Sequence, residues 1–231
     1  MKNCIGVIGA MDDEVKGIIA KLENHKSEFV GGVEFHTGTL HSKDVVVAKC
    51  GVGKVFAAMC AQAMIIKYSP RLIVNTGVAG ALAPQLNTSD VAIATKLVQH
   101  DMDTSAIGDP KGLISGINKI YFDTDERAVE ILVATAAEKG VNYLCGTVAS
   151  GDVFVADADS RSAIKADFSA IACEMEGAAI AQTAYVNDTP FAVIRSISDN
   201  ADGTSSVAFP QFLKEAVVTS QMLTEALVMN Y

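Results

Sequence analysis

Short apolar runs alternate along the chain with longer segments in which apolar residues recur every three or four positions. The short runs are rich in β-branched residues and are typical of buried strands, whereas the longer segments have the period of helices. This alternation predicts an α/β domain with helices on both faces of a sheet. Lys43 and Asp44 separate two strand-like runs, as a hairpin turn does, so we expect the sheet to be mixed.

The predicted strands are Cys4 to Ile8, Val33 to Thr39, Val45 to Lys49, Leu72 to Thr76, Val91 to Val98, Tyr143 to Ala149, Ala170 to Cys173 and Phe191 to Ile197. The predicted helices are Asp12 to Asn24, Gly53 to Tyr68, Asp125 to Lys139, Ser160 to Asp167, Gly177 to Val186 and Phe209 to Met229. One long irregular stretch, Gln99 to Tyr121, has the length of a functional loop or a subunit contact. Nothing marks a domain boundary, so we expect one domain over residues 1–231.

The composition narrows the classes of partner. The chain has 231 residues, 50% of them hydrophobic and 19% charged, which is enough to bury the core of an ordinary domain. Its formal charge of -9 repels phosphate backbones and anionic lipid headgroups. We therefore expect neither nucleic acid nor membrane-surface binding, whereas a small neutral ligand remains compatible with this charge.

The sequence also bears on the compartment. The uncharged run Val55 to Ile66 is well short of the ~20 residues that cross a bilayer. The acids that follow Met11 do not fit the layout of a secretion signal. Five cysteines without a CxxC pair suggest reduced thiols rather than disulfides or a zinc ribbon. We expect a cytoplasmic protein.

Polar residues that directly follow strands are the first candidates for a site, because ligands of open α/β sheets bind beyond the carboxyl ends of the strands. Six such junctions occur in the sequence: Gly9 to Glu14, Gly51 to Lys54, Thr76 to Gly80, Ser150 to Phe154, Asp199 to Asp202, and Glu174 with Glu176.

Three of these junctions carry carboxylates. Glu14 lies in the first turn of a predicted helix, where an acid stabilises the helix dipole, but three acids in a row exceed that need, and a catalytic role stays open. Glu174 and Glu176 could cap a helix or grip a pair of hydroxyls, as on a ribose. Asp199 would reach the same rim as Glu14 and Glu176, and carboxylates brought together can divide acid and base roles.

Other motifs in the sequence do not complete a nucleotide-binding loop or a metal site. The segment from Gly51 has Phe56 where a dinucleotide fingerprint needs its third glycine, and Val55 where a P-loop needs Ser or Thr. His100, with Asp101, lacks further ligands at metal-site spacing, so we expect no metal. Phe154 and Phe209 lie at loop edges, where a Phe either plugs the core or stacks on a base.

Five co-linear segments together resemble the bacterial 5'-methylthioadenosine/S-adenosylhomocysteine nucleosidases. They are GAMDDE (Gly9 to Glu14), NTGVAG (Asn75 to Gly80), SGDVF (Ser150 to Phe154), EMEG (Glu174 to Gly177) and RSISDNAD (Arg195 to Asp202). The resemblance implies a nucleoside phosphorylase-like three-layer α/β/α sandwich with a central mixed sheet, and a homodimer. It also implies hydrolysis of the bond between adenine and ribose, without metal or organic cofactor, in methionine salvage.

The same resemblance assigns roles by position. Glu14 would activate water, Asp199 would protonate adenine N7, and Glu176 would hold the ribose 2' and 3' hydroxyls. The remaining assignments are these: Phe154 against the adenine face, the Val155 backbone at its edge, Met175 against the ribose, Arg195 positioning water and carboxylates, Ser198 orienting Asp199, Met11, Val52 and Phe209 at the 5'-alkylthio group, and Ile107 reaching that group from the partner subunit.

Two positions depart from the family pattern. Val78 stands where a serine is frequent beside the water, and Ile107 where an aromatic residue is frequent at the thio pocket. Three other functions remain open from the sequence: a phosphorylase of the same fold, a 6-amino-6-deoxyfutalosine hydrolase, and a nucleoside-binding sensor without catalysis. The first-strand loop carries Asp12, Asp13 and Glu14 but no arginine, which disfavours a phosphate site.

Overall fold

A computed structural model describes residues 2–199 and 205–231, with side chains throughout these ranges except at 205–212. The strands of the described chain are β1 (Ile5–Gly9), β2 (Glu23–Val30), β3 (Val33–Leu40), β4 (Lys43–Lys49), β5 (Leu72–Ala81), β6 (Val91–Gln99), β7 (Tyr121–Asp123), β8 (Tyr143–Ser150), β9 (Ala170–Glu174) and β10 (Phe191–Asp199). The helices are α1 (Asp12–Ile19), α2 (Lys54–Tyr68), α3 (Glu126–Glu138), α4 (Ala158–Phe168), α5 (Gly177–Val186) and α6 (Ser205–Asn230).

These strands form one mixed sheet, as the sequence predicts. Strands β4, β1, β5 and β10 run parallel to one another, and the hairpin strands β3 and β2 extend the sheet antiparallel beyond β4. At the other end β10, β6, β8, β9 and β5 pair in sequence and close into a ring, because β5 pairs with both β9 and β10. The closed ring brings the ends of β5, β9 and β10 to one place.

Helices cover both faces of the sheet, which confirms the predicted sandwich. Along β4 the side chains of Val45 and Val47 pack into a cluster with α1, α3 and α6, while Val46 and Ala48 pack into a cluster with α2 and α5. A strand with apolar side chains on both faces is buried on both sides. None of the described helices is both long and apolar enough to span a membrane.

The predicted helix Asp12 to Asn24 was too long at its C-terminal end. Helix α1 ends at Ile19, and the chain then enters the edge strand β2, which the pattern did not predict. Seven of the eight β2 residues are exposed, so β2 has no apolar face that would reveal a strand. Its charged side chains suit an edge that must not pair with other chains. Gly31 and Gly32, with φ of 58° and 82°, make the tight turn to β3.

Two central strands extend further than predicted, toward the site. Strand β5 continues past Thr76 to Ala81, and β10 continues past Ile197 to Asp199. Both extensions carry glycine or polar residues, which the apolar pattern does not record, and they exist because β5 and β10 pair along their length. The extension of β10 makes Asp199 the last residue of a buried strand rather than a loop residue.

Candidate active site

A cavity of about 390 Å³ opens where β1, β5, β9 and β10 end. Ten of the thirteen residues that the sequence analysis assigns to the site line it: Met11, Glu14, Val52, Val78, Phe154, Met175, Glu176, Arg195, Ser198 and Asp199. The parallel strands deliver side chains that lie far apart in sequence to one rim, as the position of the junctions predicts. The cavity therefore combines four buried carboxylates, those of Glu14, Glu174, Glu176 and Asp199, with an apolar wall.

Glu14 enters the cavity from the first turn of α1. One carboxylate oxygen accepts hydrogen bonds from the backbone N–H groups of Ala10 (2.6 Å) and Met11 (2.9 Å), and the other accepts from Val78 N–H (3.1 Å). The bond to Met11 caps the helix, so the structural and the catalytic interpretations of Glu14 are compatible. Burial raises the pKa of Glu14 above its ordinary value, against the opposing effects of Arg195 and these hydrogen bonds.

The two acids that precede Glu14 point away from the cavity. Asp12 pairs with Lys49 at 2.9 Å, and Asp13 pairs with Lys16 within the same helix. Neither lines the cavity. Of the three consecutive acids, only Glu14 is placed for chemistry on a bound molecule.

Arg195 lines the cavity with almost none of its surface exposed, and it contacts the acids around it. Its Nη2 donates to Glu174 and to the side-chain oxygen of Asn75 (2.5 Å), and lies 3.4 Å from Glu176 Oε2. Its Nη1 donates to the Val78 carbonyl oxygen at 3.3 Å. These contacts hold a positive charge that partly balances several buried carboxylates.

Glu174 has a structural position, although its carboxylate borders the cavity. It accepts hydrogen bonds from Ser150 Oγ and Arg195, and from the backbone N–H groups of Glu176 (2.9 Å) and Gly177. These bonds satisfy backbone donors at the start of α5. Of the pair Glu174 and Glu176, Glu174 therefore fixes the turn, and Glu176 is the one oriented for a ligand.

Glu176 has one carboxylate oxygen tied to the start of α2. Its Oε1 accepts from Gly53 N–H at 2.9 Å, and Oε2 faces Arg195. Burial raises the pKa of Glu176 to about 7; Arg195 opposes this rise, and the neighbouring Glu174 and Glu14 add to it. The carboxyl group of Glu176 therefore changes its charge near neutral pH.

Asp199 stands at the end of β10 with each carboxylate oxygen engaged. Ser198 Oγ donates to Oδ1 at 2.9 Å, and Arg161 Nη2 donates to Oδ2 at 2.5 Å. Ser198 thus contacts the carboxylate that the family resemblance implies it orients. Arg161 was absent from the sequence-based site, because an arginine on the polar helix α4 carries no signal that distinguishes it from a surface residue.

The rest of the cavity surface is mostly apolar. Met11, Val52, Val78, Phe154 and Met175 contribute to it, and the side chain of Phe154 is about half exposed at the rim. Such a wall suits a planar ring and a thioether better than a charged group. An apolar surface opposite a row of carboxylates is the combination expected for an uncharged ligand with hydroxyl groups.

Three assigned residues do not line this cavity. The side chain of Val155 is buried in a small cluster with Ile164 and Phe168, and its carbonyl oxygen accepts from Arg161 Nε at 3.1 Å. Ile107 lies on a single 3-10 turn, is 82% exposed and does not line the cavity of its own chain. The side chain of Phe209 lies outside the described part of the molecule.

Gly77 makes room for the close approach of β5 to the side chains of Glu14 and Arg195. A Cβ at this position would overlap Glu14 Oε1 and lie 2.5 Å from Arg195 Nη1. We expect Gly77→Ala to lower kcat/KM by about 10²-fold through displaced carboxylates, and to cost about 1–3 kcal/mol of stability. Steady-state kinetics and denaturant unfolding measure both effects. The control is Gly116→Ala, because a Cβ at Gly116 has nothing within 4 Å; equal kinetics for the two variants would contradict the prediction.

The chain is similar to known enzymes over its whole length. The profile of the phosphorylase superfamily matches residues 4–229. The 5'-methylthioadenosine/S-adenosylhomocysteine nucleosidase of Staphylococcus haemolyticus (strain JCSC1435) is 39% identical over 225 residues, which cover 97% of this chain and 98% of the relative.

Solved structures agree with this similarity. The nucleosidase of the same name from Neisseria meningitidis, in complex with methylthio-immucillin-A, has a TM-score of 0.95 at 34% identity and covers 99% of this chain and 100% of that chain. The futalosine hydrolase of Helicobacter pylori strain 26695 has a TM-score of 0.93 at 34% identity, covering 98% and 97%. The chain therefore belongs to the phosphorylase superfamily and, within it, to the family of 5'-methylthioadenosine/S-adenosylhomocysteine nucleosidases.

Proposed function

We propose that the protein is a hydrolase that cleaves the N-glycosidic bond of 5'-methylthioadenosine and S-adenosylhomocysteine, and also of 5'-deoxyadenosine, to release adenine. The observation that carries the proposal is the joint placement of Glu14, Glu176 and Asp199 around one cavity with an apolar wall. Cleavage of a nucleoside passes through an oxocarbenium-like state, which needs a protonated leaving group and an activated water. The three carboxylates supply these functions and a grip on the sugar.

Asp199 and Glu14 each carry out one of the two proton transfers of the reaction. Asp199 donates a proton to adenine N7 while the bond between N9 and C1' breaks, and the bonding electron pair leaves with adenine. A water oxygen then bonds to C1', and Glu14 takes one of the water protons. Burial, which raises the pKa of Glu14, makes its carboxylate a better base than an exposed one. Arg195, beside both Val78 and the carboxylates, helps to position Glu14 and the water.

The remaining contacts bind the nucleoside. Glu176 accepts hydrogen bonds from the ribose 2' and 3' hydroxyls, and Met175 packs against the ribose. Phe154 stacks on adenine, whose edge meets the Val155 backbone. The 5'-alkylthio group lies among Met11, Val52 and Phe209, together with Ile107 of the partner subunit. Val78 in place of a serine leaves the water without one hydroxyl partner, so its placement relies on Glu14 and Arg195.

The titration of Glu176 predicts how binding changes with pH. Burial raises the pKa of Glu176 to about 7; Arg195 opposes this rise, and Glu174 and Glu14 add to it. Below neutral pH the Glu176 carboxylate therefore gains a proton and accepts fewer hydrogen bonds from the ribose hydroxyls. We expect the affinity for a non-hydrolysable 7-deaza analogue of methylthioadenosine to fall by roughly tenfold or more from pH 8 to pH 5.5, since bonds to a charged acceptor are worth about 1.5–3 kcal/mol. Calorimetry measures the affinity.

The control for this dependence is Glu176→Gln. This variant should bind the analogue more weakly at every pH, with little change between pH 8 and pH 5.5. A wild-type affinity that stays constant over this range would contradict the role of Glu176 as an ionised acceptor of the ribose hydroxyls.

The site favours water over phosphate as the attacking group. Among the described lining residues, Arg195 is the one cation, and it is already held by Glu174 and Asn75. A phosphate dianion would meet the Glu14 carboxylate, and the one Arg195 donor without a hydrogen-bond partner, Nε, is buried and closed to it. A futalosine derivative remains an alternative substrate, because it shares the adenine and ribose contacts and one structural relative is named a futalosine hydrolase.

We propose further that the whole chain acts as one nucleosidase domain in a cytoplasmic homodimer. Apolar side chains at the start of α2 (Val55, Phe56 and Met59) are exposed, as are Val153 and Ile107. Hydrogen bonds from Lys54 N–H to Asp152, and from Asp152 N–H to Asp101, connect these segments on one side of the cavity mouth. Exposed apolar surface of this kind suits a subunit contact. Sedimentation of the purified chain tests the dimer.

Thiol and substrate chemistry support the proposed compartment and pathway. All five cysteines are free, as expected in a reducing compartment. Methylthioadenosine and S-adenosylhomocysteine are by-products of reactions that consume S-adenosylmethionine, so their cleavage belongs to methionine salvage and to the recycling of these by-products.

Adenine release from methylthioadenosine in phosphate-free, chelator-treated buffer tests the function. Release that is independent of added phosphate and yields free methylthioribose supports a hydrolase. Release only after phosphate is added would make the protein a phosphorylase. A ligand that binds and stays intact after long incubation would make it a sensor, and faster turnover of the futalosine substrate would make it a futalosine hydrolase.

A further inference from the structure

Arg161 lies on α4, behind the wall of the cavity rather than in it. Its side chain is nearly completely buried, with 4% of its surface exposed. The guanidinium donates from Nε to the Val155 carbonyl oxygen (3.1 Å), from Nη1 to the Ala81 carbonyl oxygen (3.2 Å) and from Nη2 to Asp199 Oδ2 (2.5 Å). A buried arginine is costly unless its donors are used, and here one planar fork connects three separate segments.

Two of the groups that Arg161 connects are assigned to adenine in the proposed function. Asp199 is the acid that protonates N7, and the Val155 backbone meets the edge of the base. The third, Ala81, ends strand β5, next to Gly80, where a Cβ would lie 3.0 Å from Asp199 Oδ2 and 3.4 Å from Arg161 Nη2. The chain therefore leaves space for this ion pair at the junction of β5, β10 and α4.

We propose that Arg161 is a positioning residue for the acid step: it fixes the Asp199 carboxyl group relative to the adenine edge and stabilises the carboxylate that remains after the proton has moved to N7. The proposal rests on the proposed function. Ser198 and Arg161 each hold one oxygen of Asp199, so the carboxyl plane cannot rotate freely. A fixed cation beside a charge that develops during the reaction lowers the barrier without reorganisation.

A leaving-group comparison distinguishes this role from a merely structural one. Adenine needs protonation to depart, whereas p-nitrophenolate departs without it. If Arg161 acts through Asp199, its loss should slow cleavage of methylthioadenosine far more than cleavage of p-nitrophenyl 5-methylthioriboside. A general loosening of the fold would slow both substrates, because both need Glu14 and Glu176.

The test uses Arg161→Met and Arg161→Lys in the full chain, with Arg127→Met as the matched control. Arg127 is an exposed arginine of α3 whose guanidinium contacts Tyr231, away from the cavity. We expect Arg161→Met to lower kcat for methylthioadenosine about 10- to 100-fold with KM changed less than about threefold, and to change the p-nitrophenyl rate by less than about threefold. Arg161→Lys, or added guanidinium ion with Arg161→Met, should restore part of the loss.

The outcomes separate the inference from the function on which it rests. Equal losses on both substrates, or no loss on methylthioadenosine, would overturn the role of Arg161 while wild-type hydrolysis still supports the function. If Arg161→Met does not fold, Arg161→Lys carries the same comparison, because it keeps a cation and loses the fork; equal losses on the two substrates would then overturn the proposal. A wild-type protein that releases no adenine refutes the proposed function itself.

Discussion

Asp199→Asn is expected to lower kcat for methylthioadenosine by about 10²- to 10⁴-fold, the usual contribution of a positioned general acid. The amide keeps the size of the carboxyl group and can still accept a hydrogen bond from Arg161 or Ser198, so the fold should remain intact. It cannot donate an acidic proton to N7, and adenine must then leave as an anion. The loss should therefore appear in kcat rather than in binding.

Rapid-quench measurement of adenine release separates this effect from slow product release. The matched control is Asp188→Asn, because Asp188 is an exposed acid in the turn that follows α5. On p-nitrophenyl 5-methylthioriboside, Asp199→Asn should retain most of its activity, since that leaving group needs no proton. An Asp199→Asn protein with wild-type turnover on methylthioadenosine would exclude Asp199 as the acid.

The sheet and the rim of the site can both be predicted from the sequence, because both depend on the buried strands. Strand β4 alternates side chains between two apolar clusters, and a run such as Val45 to Ala48 is visible without a structure. Because parallel strands end at the same edge, the residues after β1 and at the end of β10 had to meet. Glu14 and Asp199 could thus be placed on one rim before their contacts were known.

The parts that could not be predicted depend on pairing rather than on pattern. Strand β2 is polar and exposed on the sheet edge, so its hydrogen bonds to β3 define it as a strand. Arg161 lies on a helix of mostly polar sequence and becomes part of the acid site only because the ring of strands brings β10 beside α4. No local spacing in the sequence connects Arg161 with Asp199.

The division between Glu174 and Glu176 also needed the structure. Two acids separated by one residue look equivalent in sequence, and both are buried. Their difference comes from the backbone: the N–H groups at the start of α5 point at Glu174, which leaves Glu176 to face Gly53 N–H and the cavity. Glu174 therefore caps the helix, and Glu176 is left for the ligand in the proposed function.

Glu14→Gln is expected to lower kcat by about 10²- to 10⁴-fold and to destabilise the protein as well. The two carboxylate oxygens of Glu14 accept hydrogen bonds from three backbone N–H groups, at Ala10, Met11 and Val78. A glutamine side chain has only one acceptor oxygen. The new NH₂ group must face at least one of these donors, which costs about 1–3 kcal/mol. Denaturant unfolding should record this cost, and kinetics well below the unfolding midpoint should record the loss of the base.

The kinetic loss of Glu14→Gln should have a signature that differs from loss of the acid. Water activation is needed whichever group leaves, so Glu14→Gln should slow methylthioadenosine and p-nitrophenyl 5-methylthioriboside alike, whereas Asp199→Asn slows mainly the first. Affinity for the 7-deaza analogue should change little, because Glu176 and the apolar wall remain. If Glu14→Gln hydrolyses methylthioadenosine at the wild-type rate while showing the expected loss of stability, Glu14 is a helix cap alone, and the base must be sought among the other carboxylates of the cavity.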